Sequence, residues 1–253
     1  MMFPRVIPVL LLRRDGLVKG IHFKNHKYVG DPMNAVRIFN AKNVDELFLL
    51  DITATTECRS PDIDFVQRVA DEAYMPFGVG GGIRSVADMQ RLIRAGAEKV
   101  SINTAAVENP DLIRQASDVF GRQSVVVSVD VGHSWRGRAS VYTHSGTRRV
   151  NLDPVAWTQK AEELGAGEIL LTSIERDGIR RGYALDLVRA VADAVQIPII
   201  ACGGAGRFED LEAVVKEGHA SAAAAGSLFV FNGPHRAVLV QYPDRRLSVP
   251  LSS

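Results

Sequence analysis

Residues 79–82 read Val79-Gly80-Gly81-Gly82, and residues 201–204, 122 positions further on, read Ala201-Cys202-Gly203-Gly204. Each is a short apolar run that ends in adjacent glycines and leads, past Ser85 in one case and into Phe208 in the other, to a segment with helical spacing of apolar residues. The same offset relates Glu46-Leu-Phe-Leu-Leu to Glu168-Ile-Leu-Leu-Thr, and Gly96 to Gly218. A period near half the chain, held across separate elements, lies outside the solenoid range and predicts two related half-structures about a pseudo-twofold axis.

Outward from these junctions the pattern continues. Strand-like runs fall near 5–11, 46–51, 76–80, 98–102, 124–130, 167–172, 198–202 and 221–225, and several are apolar throughout, as parallel strands covered on both faces should be. Helical patterns lie between them, at 32–40, 63–73, 86–95, 154–164, 185–194 and 208–217. Eight strands alternating with helices predict an α/β chain folded as a single (β/α)8 TIM barrel made of two four-stranded halves. No linker or low-complexity tract divides residues 1–253, so one domain is expected, with a Pro-, Arg- and Ser-rich tail from about 242 expected to be poorly ordered.

Lys+Arg 30 against Asp+Glu 29 leaves a net charge of +1, which gives no global field of the kind that would favour nucleic acid or anionic lipid. Anion binding must be local. The only cysteines, Cys58 and Cys202, form neither a metal-ligand spacing nor a disulfide framework, which fits a reducing cytoplasm and calls for no metal. The apolar run at 6–12 is followed at once by Arg13 and Arg14, which reads as a buried first strand rather than a leader. No stretch approaches the ~20 apolar residues of a membrane span, and nothing in the pattern asks for a cofactor.

Glycines let backbone amides approach an oxyanion, and a following helix start adds unpaired N–H donors, so Gly81-Gly82 and Gly203-Gly204 each read as a phosphate cradle. Tight βα turns are the alternative for one such junction; two copies in register argue against it. Asn103 and Thr104 after strand four, and Gly226 and Ser227 after strand eight, complete the two cradles, with Thr104 and Ser227 expected to serve partly as helix N-caps. Related by about half a turn, the cradles should face each other across the mouth and suit a ligand with a phosphate at each end. Carboxylates at strand ends point into the same mouth: Asp51, Asp130, and Asp177 beside Gly178. Asp130 follows an apolar strand, so its pKa should be raised toward a value suited to proton transfer. Asp51 fits a structural carboxylate better. At the opposite strand ends, Arg5, Glu46, Lys99 and Glu168 alternate in sign and can close a salt-bridged plug that acts as a constriction. His144, in a hairpin-like insert after strand five, reads as a solvated loop residue, with a proton carrier or substrate contact as the alternative. Cys202 reads as a small buried strand residue.

Asp51-Ile-Thr-Ala, Gly80-Gly-Gly-Ile, Lys99-Val-Ser-Ile-Asn-Thr-Ala-Ala-Val, Gly165-Ala-Gly-Glu-Ile-Leu-Leu-Thr-Ser-Ile, Arg176-Asp-Gly and Gly203-Gly-Ala-Gly, over roughly residues 3–232, resemble the cyclase subunit family of imidazole glycerol phosphate synthase. The resemblance implies a glutamine amidotransferase partner docked on the bottom face, with ammonia passing through the ring of Arg5, Glu46, Lys99 and Glu168. It implies that the first βα loop, with Lys19 and Gly20, is a mobile lid over the substrate, and that Asp130 is one of two acid/base aspartates. The second aspartate of the family pattern falls at Leu11 here. Ile7-Pro-Val-Leu-Leu-Leu, Tyr142-Thr-His-Ser-Gly, Gly226-Ser-Leu-Phe-Val-Phe and His235-Arg-Ala-Val-Leu look like a divergent branch of that family associated with acetamidino modification of surface-polysaccharide sugars. Three functions are therefore expected in order: an ammonia-using synthase subunit acting on a phosphorylated small molecule or nucleotide sugar in acetamidino-sugar formation; the imidazole glycerol phosphate synthase cyclase of histidine biosynthesis; and a non-catalytic ammonia conduit that activates the amidotransferase.

Overall fold

The structure is a computed structural model that describes residues 5–14, 16–134, 137–233 and 237–242. Eight parallel strands form its centre: β1 (Arg5–Arg13), β2 (Leu47–Asp51), β3 (Phe77–Gly80), β4 (Lys99–Ile102), β5 (Val125–His133), β6 (Glu168–Ser173), β7 (Ile199–Cys202) and β8 (Ala222–Ala225). Each pairs with the next, β5 with β6 through Thr172 opposite Asp130, and β8 closes on β1 with Arg5 opposite Ala222 and Pro8 opposite Ala225. The sheet is thus a closed barrel, and helices follow its strands as a (β/α)8 fold requires.

The predicted strands are all present, and the predicted helices appear as Pro32–Ala41, Ile63–Glu72, Val86–Arg94, Pro154–Glu163, Leu185–Ala192 and Phe208–Lys216. Asp31, Asp62, Ser85 and Asp153 cap four of them with side-chain oxygens that accept first-turn N–H groups. The helix Asp111–Phe120 has no counterpart among the predicted helices, and the helix starts expected near Thr104 and Ser227 are the short helices Thr104–Glu108 and Ser227–Val230. β1 and β5 run past their predicted ends because each continues into an antiparallel excursion: Leu11 opposite Val18 of the strand Gly16–Ile21, and Asp130 opposite Tyr142 of the strand Ala139–Thr143. The first excursion turns back through the strand Lys24–Gly30. The predicted tail beyond Tyr242 lies outside the described residues. Tyr242 itself is buried and donates from its hydroxyl to the Val6 carbonyl at 3.0 Å.

Two hydrophobic layers result from strand alternation. Ile7, Val9, Phe48, Val126, Leu170, Ile200, Ala222 and Ala224 point inward and fill the lumen. Their neighbours Leu47, Leu49, Val100, Val125, Val127, Ile169 and Ala223 point outward beneath the helices. Large and small residues alternate in the lumen: a side chain at Gly78 would begin 2.5 Å from the Phe48 ring, so the glycine makes room for the largest inner residue. Phe48→Ala should therefore open an internal cavity and lower stability by about 3–5 kcal/mol in urea unfolding.

Candidate functional site

The barrel mouth holds a cavity of about 310 Å³ at the carboxyl ends of the strands. It is lined by Gly81, Gly82, Asn103 and Thr104 from the first half and by Gly203, Gly204, Gly226 and Ser227 from the second, so the two glycine junctions open into one space. Their backbones are shaped alike. Gly81 has φ +102° and Gly203 φ +86°, and a Cβ would meet the Asp51 carbonyl oxygen at 2.1 Å in one case and the Ser173 carbonyl oxygen at 2.8 Å in the other. Asp51 and Ser173 are themselves 122 residues apart. Thr104 and Ser227 are first helical residues rather than N-caps; Asn103 and Gly226 hold the cap positions without side-chain capping. The Thr104 hydroxyl instead accepts the His144 N–H at 3.0 Å, tying the insert after β5 to the first cradle.

Asp130 and Leu11 occupy equivalent places in the two halves. Leu11 pairs in register with Leu50, and Asp130 with Thr172, which stands 122 residues after Leu50. Both line the cavity, one as an alkyl wall and the other as a carboxyl group. Burial, reinforced by the nearby Asp177, pushes the Asp130 pKa up to about 7, against the weaker pull of the Thr172 and Ser128 hydroxyls. The Asn103 amide donates to its Oδ2 at 3.1 Å and to the Tyr142 carbonyl at 3.2 Å, which orients the acid. A group with such a pKa can give and take protons near neutrality.

Lys19 is buried at the centre of the mouth, donating to the Val9 carbonyl at 2.7 Å. Burial pulls its pKa down to about 8, with Asp177 acting in the opposite sense. A side chain on Gly226 would begin 2.3 Å from its Nζ, so the lysine tip packs directly against the second cradle. The excursion carrying Lys19 rests on the loop after β6: His22 N–H donates to the Asp177 carbonyl at 3.0 Å, and Gly178 lies against the Gly20 carbonyl. Burial raises the Asp177 pKa, partly offset by Lys19 and the Phe23 N–H.

Other expectations are sharpened. Asp51 lines the cavity, but its Oδ1 accepts the Thr53 and Ala54 N–H groups at 2.9 and 3.0 Å, and Arg59 pairs with its Oδ2 at 3.0 Å. That is the structural role read from the sequence; Arg59 itself was not singled out there. His144 is not simply solvated, because the insert folds over the mouth and makes it a lining residue, with Nδ1 3.1 Å from the Thr143 hydroxyl. Cys202 is only partly covered and faces the cavity, and burial pushes its thiol up to about 12, which leaves it protonated and a poor nucleophile. His26, brought in by the excursion, also lines the space, and no local motif marks it in the sequence.

At the other end of the barrel the four charged strand starts close a ring. Arg5 reaches Glu46 at 3.0 Å and Glu168 at 2.7 Å; Lys99 reaches Glu46 at 2.8 Å and Glu168 at 2.7 Å. Each carboxylate thus meets both cations. Such a set is poor grounds for extra stability, since desolvation offsets its Coulombic gain, but it does plug the floor of the lumen with polar groups. Among the described residues no cluster of three or more His, Cys, Asp or Glu could hold a metal, and no helix is long and apolar enough to cross a membrane.

The site is thus that of a two-halved α/β barrel, with paired glycine junctions and a buried acid at the mouth and a charged ring below. The chain belongs to the histidine biosynthesis protein family, whose signature matches residues 5–234. It is 47% identical over 236 residues, 91% of this chain and 89% of the relative, to the imidazole glycerol phosphate synthase subunit HisF of Caulobacter vibrioides. It is 51% identical over 240 residues, 95% of this chain and 96% of the relative, to a Pseudomonas aeruginosa protein provisionally named imidazole glycerol phosphate synthase subunit hisF2. A provisionally named HisF subunit of Leptospira interrogans is 43% identical over 246 residues, 97% of each chain.

Because the folded pKa of Asp130 lies above its ordinary value of 3.8, the associated stability is intact below about 4 and is lost as pH rises through about 7. Asp130→Asn should become progressively more stable relative to the parent chain across that window and level off above it, as read by denaturation at a series of pH values. Asp177→Asn should move the Asp130 carboxyl titration, followed by carbon NMR, to lower pH.

Proposed function

We propose that this chain is the ammonia-using barrel subunit of a glutamine-dependent two-component synthase, and that its reaction converts an acetamido group of a surface-polysaccharide sugar to an acetamidine. The observation that carries the reading is Leu11 in the place equivalent to Asp130. A leucine neither donates nor accepts a proton, so the end of the first strand lacks one of the two acid/base carboxyls that ring closure to an imidazole calls for in the pattern this chain resembles. Amidine formation asks less. Ammonia adds to the amide carbon, Asp130 takes a proton from the new ammonium nitrogen and returns it to the former carbonyl oxygen, and a second proton passed the same way lets that oxygen leave as water, so that amide and ammonia become amidine and water.

The remaining parts fit that scheme. The ring of Arg5, Glu46, Lys99 and Glu168 forms the ammonia entrance, and the amidotransferase docks on the face around it. Gly81, Gly82, Asn103 and Thr104 hold one anionic group, and Gly203, Gly204, Gly226 and Ser227 another, while Lys19, Asp51, Asp177 and Gly178 shape the substrate space between them. The work is done in the cytoplasm.

Two observations favour a second reading, the cyclase of histidine biosynthesis: both cradles open into one cavity, as a ligand phosphorylated at each end would need, and the relatives carry imidazole glycerol phosphate synthase names. Leu11 also permits a third, a barrel that only channels ammonia and activates its partner. Assay of the purified chain with ammonium and the ribonucleotide substrate of the imidazole reaction separates the first two. Negligible imidazole glycerol phosphate is expected, and substantial turnover would overturn the leading reading. In the reconstituted two-component system Asp130→Asn should abolish amidine formation; unchanged product would leave the barrel a conduit.

A further inference from the structure

The strand residues that floor the cavity differ in polarity between the two halves. Val9 pairs in register with Phe48 and Ser128 with Leu170, which stands 122 residues after Phe48. Val9, Leu11 and Leu50 of the first half thus occupy the places of Ser128, Asp130 and Thr172 in the second. In the strands that follow the relation is reversed: Val79 pairs with Val100 and Ala201 with Ala223, so Ser101 and Asn103 of β4 correspond to Ala224 and Gly226 of β8. Polar side chains therefore follow one another along β4, β5 and β6, and apolar ones along β8, β1 and β2, where Leu11 and Leu50 form the partly exposed top of the lumen core. Lys19 crosses above this apolar arc with its ammonium engaged by the Val9 carbonyl at 2.7 Å.

The two arcs meet at Gly80. A Cβ there would begin 2.7 Å from Leu50 Cδ2 and 3.1 Å from the Ser101 Cβ, so an alkyl wall and a hydroxyl stand side by side at the edge of the floor. On the polar arc, Ser128, Thr172 and the Asn103 amide nitrogen all turn to Asp130. Two other oxygens on that arc are left over. Ser101 Oγ and Asn103 Oδ1 are buried and have no hydrogen-bond partner among the described residues, although both residues line the cavity and Ser101 is only 4% exposed. A buried polar oxygen left unpaired is destabilising, and a ligand that pairs with it removes that cost.

We propose that the floor is a subsite for a short acyl amide, in which the acyl methyl group rests on Leu11 and Leu50, the amide N–H donates to Asn103 Oδ1 and the Ser101 hydroxyl donates to the amide oxygen. Such a group is apolar at one end and carries a donor and an acceptor at the other, which is the division that the two arcs present. Its carbonyl carbon then lies between Leu11 and Asp130. The inference rests on the synthase reading and deepens it by giving Leu11 a positive role. Leu11 is a specificity-determining residue that selects an acetamido group over a formamido group or a hydroxyl, and Ser101 and Asn103 position the amide against Asp130.

Methyl NMR of the full chain, with its leucine methyl groups carbon-labelled, tests it by titration with N-methylacetamide, N-methylformamide and methyl acetate. N-methylacetamide should shift the Leu11 and Leu50 methyl resonances saturably and bind about fourfold more tightly than N-methylformamide, the effect of burying one methyl group. Methyl acetate, which lacks the N–H donor, should bind about fivefold more weakly than N-methylacetamide, and Ser101→Ala should weaken N-methylacetamide by about the same factor. Leu11→Asp should erase the preference for the acetyl over the formyl probe, whereas Leu11→Met, which keeps the volume, should retain it; circular dichroism checks that each variant is folded. No saturable shift at Leu11 and Leu50, equal binding of the acetyl and formyl probes, or a preference that survives Leu11→Asp would each overturn the proposal. Failure of the synthase reading shows elsewhere, as a lack of ammonium-dependent amidine, and leaves these titrations unaffected.

Discussion

When β8 closes on β1, with Arg5 opposite Ala222, every strand acquires an inside and an outside, and the two-residue alternation of the strands then places each functional group at a definite height. On β4 the inward positions run from Lys99 in the ring to Ser101 beside the cavity; on β6 they run from Glu168 through Leu170 to Thr172. A register slip of one residue would exchange lumen and helix-facing side chains, and in β4 or β6 it would carry Lys99 or Glu168 toward the outer core. The ring, the apolar lumen and the mouth are three levels of the same constraint.

Desolvation then divides the carboxylates by task. Asp51 sits where backbone N–H groups and Arg59 converge on it, and it serves to hold the loop beneath the first cradle. Asp130, in the place that Leu11 takes in the other half, has Asp177 rather than an arginine nearby, and its charged form is disfavoured. Lys19 experiences the opposite shift for the same reason, burial. An acid and an amine with values near neutrality share one cavity, which is a setting for proton exchange that neither would provide at the surface.

The half-barrel repeat supplies the comparison by which departures become visible. Backbone features hold across it, as at Gly81 and Gly203 against the carbonyls of Asp51 and Ser173. Side chains do not: Leu11 answers Asp130, and Ala224 answers Ser101. Backbone symmetry is maintained by packing, which tolerates few alternatives, whereas the residues at the rim are free to diverge with the ligand.

The barrel was legible in the sequence because apolar strands, glycine junctions and the 122-residue repeat are local or periodic signals, and the ring of Arg5, Glu46, Lys99 and Glu168 could be read from strand starts alone. The excursion at 16–30 was not, since its pairing depends on an unusual extension of β1 past Leu11, and with it went the burial of Lys19 and the arrival of His26. His144 was misplaced for a similar reason: a loop residue faces water or a cavity according to where its hairpin docks, and the Thr104 hydroxyl that holds this one lies 40 residues away. Sequence alone determined which residues sit at strand ends and which side chain Leu11 put in place of a carboxyl group. Only the tertiary structure decided which of those residues share a cavity, which charges are compensated and how far burial moves a pKa, because proximity and desolvation arise from the packing of distant segments.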